Sequence, residues 1–140
     1  MALLSKSDLL KVEELKKEKV ELGNGDYVFV RQMTGRERDR FEQSLLIEKK
    51  SKSGEVSYER NLDDYRAKLV VNTICDEEGK LILTLSDAST LSQNMGALKL
   101  EHIVNKAQAL NKITEEDKQG LLGNSESVQS EDFTLDSVEN

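Results

Sequence analysis

The chain has 140 residues, a length that predicts a single domain with a modest core. It has a formal net charge of −7, contains 34% charged residues, and lacks proline and tryptophan. A highly charged, proline-free chain with clustered leucines favours helices. No apolar run approaches the ~18 residues of a membrane span, so no transmembrane helix is expected. The single cysteine excludes an internal disulfide, and a cytoplasmic location is expected.

The negative charge is concentrated near the C-terminus. Residues 123–140 carry five acidic side chains and no lysine or arginine, which leaves −2 of the total for residues 1–122. We therefore expect a helical domain over residues 1–122 and a disordered acidic tail over residues 123–140. A domain so nearly balanced in charge has no general attraction for nucleic acid or for anionic lipid.

The first predicted elements are a short helix and a β-hairpin. Ser5 or Ser7 is expected to cap a helix of about two turns. The dipeptide Asn-Gly then lies between two runs of alternating apolar residues, which is the strongest short hairpin signal. We expect the hairpin at about 18–33, with residues 18–22 paired with residues 27–33.

A second helix is predicted to begin at Thr34. Thr34 and Glu37 have the spacing of a capping box, in which each side chain accepts the backbone N–H of the other residue. Phe41 belongs to the inner stripe of this helix, which is expected to end near Ile47. The polar segment 48–60 contains a glycine and several lysines and is expected to form a flexible loop or a frayed extension of the helix.

A longer helix is predicted from about Asn61 to Ile74, because Leu62, Tyr65 and Leu69 recur at helical spacing. A turn at Gly79 and a short extended piece at residues 81–83 are expected to follow, since glycine readily adopts a positive φ.

The last helices complete the predicted domain. A short helix is expected after Ser86, and the clearest amphipathic stripe of the chain comes next, with Leu100, Ile103, Val104, Ala107 and Leu110. Thr114 begins a second sequence of capping-box type, with Leu121 and Leu122 as candidates for burial. The predicted fold class is mainly α, of the α+β kind: a small helical domain with an N-terminal β-hairpin.

No catalytic, cofactor-binding or metal-binding constellation is visible. His102 lies beside the apolar stripe, where a surface or packing role is expected, and Cys75 follows an apolar run typical of a buried, inert thiol. One cysteine and one histidine fall short of the ligands that zinc needs. The carboxylates at residues 76–79 do not fit an EF-hand loop. We expect no enzyme, although chemistry at Cys75 or His102 stays open as an alternative.

Three arginines crowd the first turns of the second helix: Arg36, Arg38 and Arg40. On a helix, each has an acidic residue three or four positions away, in the pairs Arg36–Asp39, Glu37–Arg40 and Arg38–Glu42. Such pairs contribute ~0.2–0.5 kcal/mol each and neutralise the run locally. A binding face for DNA needs uncompensated basic residues. A solvated helix face is therefore the favoured interpretation, a protein-contact surface comes second, and a nucleic-acid surface comes last.

Several phrases follow one another in a distinctive order. They are "SDLL", "DYVFVRQMTGRERDRFE", "CDEEGK" and "ALNKITEED", followed by "LLGNSE". In this order the chain resembles the tail assembly chaperones of long-tailed bacteriophages and related prophages. The resemblance covers about residues 5–126, and it depends on the joint order, since no single phrase is diagnostic.

The resemblance implies a non-enzymatic protein that binds and solubilises the aggregation-prone tape measure protein during tail morphogenesis. It also implies self-association into rings or spirals. A longer form made by ribosomal frameshifting would recruit the tail tube protein. The protein would act in the host cytoplasm and be absent from the mature virion.

The family supplies no catalytic residues, so candidate site residues are partner contacts: Arg36, Arg38, Arg40, Leu46 and Ile47. A chaperone needs exposed apolar surface together with surface charge that keeps it soluble. The alternative function is a small nucleic-acid-binding regulator from a mobile element, based on the basic cluster between Arg31 and Arg40.

Overall fold

The computed structural model describes residues 1–113. The capping-box sequence at Thr114 and the acidic tail at 123–140 lie outside the described residues, so the predictions made for them stay predictions. In chain order the elements are α1 (Lys6–Leu10), β1 (Lys17–Gly23), β2 (Asp26–Arg31), α2 (Gly35–Gln43), β3 (Leu46–Lys50), β4 (Val56–Arg60), α3 (Tyr65–Val71), β5 (Ile74–Cys75), a 3₁₀ turn (Leu85–Asp87), α4 (Ala88–Asn94) and α5 (Ala97–Leu110).

The predicted N-terminal hairpin is confirmed. β1 and β2 pair antiparallel, from Lys17 opposite Arg31 to Gly23 opposite Asp26. Between them Asn24 and Gly25 both have positive φ, which is the backbone that this dipeptide favours in a hairpin turn. The short strand β5 joins the free edge of β2, so the sheet order is β1-β2-β5.

The core lies where α5 and α3 pack together beside this sheet. The amphipathic stripe predicted for α5 is confirmed, because all five of its residues are buried: Leu100, Ile103, Val104, Ala107 and Leu110. Phe41 of α2 and Leu45, which lies two residues beyond the end of α2, are buried in the same cluster, together with Val20 and Val30 of the hairpin. The structure is therefore of the α+β class, as the sequence predicts.

Both predicted helix starts are confirmed at atomic detail. Thr34 Oγ1 accepts the Glu37 N–H at 3.2 Å, and Glu37 Oε1 accepts the Thr34 N–H at 2.9 Å. Ser5, not Ser7, caps α1 in the same reciprocal way with Asp8. The short helix expected after Ser86 is also present, as α4.

The predicted course of residues 44–60 is wrong. Helix α2 ends at Gln43, and Ser44 closes it by donating its hydroxyl to the Phe41 carbonyl oxygen at 2.5 Å. Residues 46–60, expected as a helix end and a loop, form a second antiparallel hairpin of β3 and β4. Gly54, with a φ of +89°, allows the tight turn between the two strands.

The helix predicted over residues 61–74 is shorter than expected. α3 begins at Tyr65, after Asp64 takes a left-handed conformation with a φ of 59°. It ends at Val71, because Ile74 and Cys75 pair with β2 instead. The extended piece expected at 81–83 is reduced to one bridge between Leu81 and Cys75. None of the helices in residues 1–113 has the length and apolar character needed to cross a membrane.

Candidate partner-binding surface

Arg31 and Glu37 form a buried ion pair where the first hairpin meets α2. Arg31 is 7% exposed. Its Nη1 and Nη2 atoms lie 2.8 and 2.9 Å from Glu37 Oε1 and Oε2, respectively. Its Nε donates to the Gly79 carbonyl oxygen at 2.7 Å, and Nη1 donates to the Gln32 carbonyl oxygen at 2.7 Å. The guanidinium thus makes four hydrogen bonds inside the protein, and it links the end of β2 to α2 and to the turn at Gly79.

The same contacts shift the ionisation of both groups. The hydrogen bonds from Arg31 are the main cause that holds the pKa of Glu37 below its ordinary value. In turn, the hydrogen bonds to Glu37 raise the pKa of Arg31. Both groups therefore stay charged around neutral pH, and Arg31 is a buried structural residue whose guanidinium is held by internal acceptors.

Asn111 ties the end of α5 to this junction. Its Oδ1 accepts the Met33 N–H at 2.7 Å, and its Nδ2 donates to the Ala107 carbonyl oxygen at 2.9 Å. Arg38 Nη1 donates to the Asn111 carbonyl oxygen at 3.2 Å. The phrases "VRQMTGRERDRFE", "CDEEGK" and "ALNK", which are distant in sequence, therefore meet at one place in the fold.

The three arginines proposed as partner contacts fall in two different environments. Arg38 is half-buried, and its Nε donates a hydrogen bond to Glu42 Oε2 at 3.0 Å. This is the Arg38–Glu42 ion pair that the helical spacing predicts. Arg36 and Arg40 are exposed, and within residues 1–113 neither forms an ion pair. The predicted Glu37–Arg40 and Arg36–Asp39 pairs are absent there. For Glu37 the reason is that Arg31 already engages both carboxylate oxygens.

Leu46 and Ile47 lie on the second hairpin, which we call the arm (residues 46–60). No residue of the arm is buried. Its apolar side chains are between 41% and 65% exposed, and they are Leu46, Ile47, Val56 and Tyr58. The two predicted contact residues are therefore accessible, although they lie on a strand and not at the end of a helix.

The base of the arm is fixed to the domain. Leu45 is buried in the core, and its carbonyl oxygen accepts the Asn61 N–H at 2.6 Å. Lys68 of α3 donates from Nζ to the Ser44 carbonyl oxygen at 2.9 Å. The arm therefore leaves the domain at a base held by these two hydrogen bonds and by the buried Leu45.

A second exposed apolar segment lies at the N-terminus. Helix α1 buries none of its residues. Six large apolar side chains of this segment are exposed: Met1, Leu3, Leu4, Leu9, Leu10 and Val12. A cleft of about 1100 Å³ lies beside it, with Val12 and Leu15 on one side and Met33 and Leu110 among the residues opposite. The cleft leaves Val12 95% exposed, so it does not bury this segment.

The two residues considered for chemistry are not brought together within the described part of the chain. Cys75 is buried, and this burial raises the pKa of its thiol, which disfavours the nucleophilic thiolate. His102 is exposed on α5 and has no hydrogen bond to Cys75. Among residues 1–113 no three acidic, histidine or cysteine side chains are placed to hold a metal ion.

Sequence comparison finds no matching family model and no matching curated protein. Structural comparison does find a match, a solved structure described as the bacteriophage HK97 tail assembly chaperone. The two share a TM-score of 0.50 and 17% sequence identity, over 75% of this chain and 89% of the other. At this level of identity the similarity concerns the fold.

Proposed function

We propose that this chain is a tail assembly chaperone of a long-tailed phage or prophage, and that it binds and solubilises the tape measure protein. The observation that carries the proposal is the fold shared with the HK97 tail assembly chaperone over 89% of that protein. The order of sequence phrases points to the same class independently of the coordinates.

The described surface supports a binding function. The arm and the N-terminal segment expose apolar side chains, and charged residues lie between and around them. Apolar area gives affinity for an unassembled client, while the surrounding charge keeps the loaded complex in solution. A long helical client such as a tape measure protein would present an amphipathic face, and a helix contacts a partner through such a face.

The proposal has further parts. Copies of the chain self-associate into rings or spirals around the client. A longer form, made by ribosomal frameshifting, recruits the tail tube protein. The chaperone acts in the host cytoplasm and leaves before the virion matures. Each part follows from the resemblance of the sequence to this class of chaperones.

Affinity capture tests the proposed binding. The tape measure protein of the same genome is tagged and co-expressed with this chain, and the captured material is analysed by mass spectrometry. We expect the untagged chain to co-purify in several copies per tape measure protein. A tagged, unrelated coiled-coil protein serves as the control. Absence of the chain from the tape measure sample, or equal recovery with the control, would refute the proposal.

The alternative of a nucleic-acid-binding regulator is less well supported by the described geometry. Of the basic cluster, Arg31 is buried and Arg38 is engaged with Glu42 and Asn111. This leaves Arg36 and Arg40 as the exposed arginines of the cluster. Non-specific DNA binding depends on many phosphate contacts at once, and two arginines on an acidic chain are a weak basis for it.

A further inference from the structure

The cleft beside the N-terminal segment is lined by several separate parts of the chain. The lining comes from residues 12–15 and 17, residues 31–35 and 38, residues 78–79 and residues 110–112. Gln32 joins three of these parts, because its Oε1 accepts the Lys16 N–H at 3.0 Å and its Nε2 donates to the Leu110 carbonyl oxygen at 3.3 Å. The walls are therefore held together, yet Val12 in one of them is almost fully exposed.

The described part of the chain ends in the lining of this cleft. Ile113 N–H donates to the Gln108 carbonyl oxygen at 2.9 Å, and Lys112 N–H donates to the Ala109 carbonyl oxygen at 3.3 Å. These two bonds make the end of α5 a Schellman turn, in which Lys112 takes the left-handed conformation with a φ of 52°. Ile113 is then buried in the core cluster. The chain therefore leaves the domain from a fixed point directly beside the cleft.

The residues that follow supply two adjacent leucines. Residues 114–122 read TEEDKQGLL and end in Leu121 and Leu122. The eight residues from Ile113 to Leu121 span about 12 Å as a helix and up to about 28 Å when extended. Because residues 110–112 already line the cleft, both leucines can reach it in either conformation.

Apolar contact favours this segment as the occupant. Val12 and Leu15 line the cleft together with Met33 and Leu110. Val12 is left in the solvent by residues 1–113, and Leu15 is partly exposed. Covering these side chains with a pair of leucines removes apolar surface from water on both partners, which drives their association.

Charge distinguishes residues 114–122 from the acidic residues after them. Arg31 and Arg38 are paired with glutamates inside the domain. The other charged side chains of the lining are Glu13, Glu14, Glu78, Lys17 and Lys112. Residues 114–122 carry three acidic side chains and Lys118, so they have charges of both signs to set against this mixed lining. Residues 123–140 have no basic side chain to place beside the three glutamates.

We infer that residues 114–122 of the same chain occupy the cleft, with Leu121 and Leu122 packed against Val12 and the apolar side chains around it. The contact fixes the N-terminal segment to the end of α5 and covers a side chain that residues 1–113 leave in the solvent. The inference goes beyond the proposed function and does not depend on it.

A double-mutant cycle in the full chain tests this packing. Val12→Ala should raise the equilibrium constant of urea unfolding about three- to five-fold, and Leu121→Ala/Leu122→Ala should raise it at least about ten-fold. In the combined variant, Val12→Ala should have almost no further effect, since its partners are already gone. Leu3→Ala is the matched control. Leu3 is fully exposed in the same segment and does not line the cleft, so Leu3→Ala should be neutral in both backgrounds.

An effect of Val12→Ala no larger than that of Leu3→Ala, or effects that multiply independently, would overturn the inference. A coupling that grows with protein concentration would also overturn it, because it would place a second copy in the cleft. A coupling that appears only when the tape measure protein is added would assign the cleft to the client, with the same consequence.

Cysteine cross-linking gives a second test that does not depend on stability. Val12→Cys and Leu122→Cys are combined in one chain, and the buried Cys75 is kept. A short bis-maleimide should join residues 12 and 122 in a product with the mass of one chain, and mass spectrometry of tryptic peptides identifies the link. Leu98→Cys/Leu122→Cys is the control, because Leu98 is exposed at the opposite end of α5 from Leu110. Equal yields from the two pairs, or links that form only between two chains, would overturn the inference.

Discussion

The Arg31 guanidinium joins the end of the first hairpin to α2 and to the turn at Gly79. In the sequence, Arg31 begins a basic cluster that suggests phosphate binding. In the fold, its guanidinium is enclosed by Glu37 and by the carbonyl oxygens of Gln32 and Gly79. The sequence gives no local signal of this, because the Gly79 contact joins residues 48 positions apart.

The ion pair should contribute strongly to stability. Glu37→Gln leaves a buried guanidinium without its counter-charge, and we expect the free energy of unfolding to fall by roughly 2–3 kcal/mol. The matched control is Glu42→Gln, which removes the more exposed partner of Arg38 and should cost less than about 1 kcal/mol. Urea denaturation of both variants measures the difference. Equal losses would contradict the structural role assigned to Arg31.

The same pair predicts a pH dependence. Because folding lowers the pKa of Glu37 from its ordinary value of 4.5, its contribution is complete above pH 4.5 and is lost as the pH falls below that value. The raised pKa of Arg31 acts only far above neutral pH. The stability of the wild type should therefore decline more steeply than that of Glu37→Gln between pH 5 and pH 3. Three other carboxyls with lowered pKa contribute equally to both proteins: Asp8, Glu18 and Asp76. Parallel urea midpoints across this range would refute the assignment.

At the scale of elements, the parts that sequence rules predict well are those with local causes. The α5 stripe follows from helical periodicity, the start of α2 from the Thr34–Glu37 capping box, and the first hairpin from Asn-Gly. The arm and the length of α3 have non-local causes. Ile74 fits a helical stripe as well as a strand, and only the open edge of β2 decides between them.

The sequence pattern does not predict the arm, because charged residues dilute its strand signal. Ile47, Val56 and Tyr58 are residues that favour strands, and Ser53-Gly54 marks a turn between them. The exposure of Leu46 and Ile47 agrees with the proposal that they contact a partner. Their role in contact stays a prediction.

Two adjacent leucines separate the fixed base of the arm from its exposed part. Leu45 is buried in the core cluster and Leu46 is 45% exposed. Leu45→Ala should lower the free energy of unfolding by roughly 2–4 kcal/mol, because it opens a cavity beside Phe41 and α3. Leu46→Ala should change it by less than about 1 kcal/mol. Thermal or urea unfolding measures both, and a large effect of Leu46→Ala would show that this side chain packs within the monomer.

At the scale of the whole molecule, the distribution of charge bears on the choice between a protein client and nucleic acid. The chain as a whole carries −7, and its exposed arginines at 36 and 40 face solvent on a domain that is itself slightly negative. Such a surface has no long-range attraction for DNA. Fluorescence anisotropy with a labelled duplex at low salt should show no saturable binding. Saturable binding whose affinity falls steeply with added salt would favour the regulator instead.

The proposed chaperone function makes its sharpest prediction about the solubility of another protein. The measurement is the soluble fraction of the tape measure protein, co-expressed with this chain or with an empty vector and separated by centrifugation. We expect co-expression to move most of the tape measure protein from the pellet to the supernatant, where both proteins elute together in gel filtration. An unchanged soluble fraction, with no co-elution, would contradict the assignment of this chain as a tail assembly chaperone.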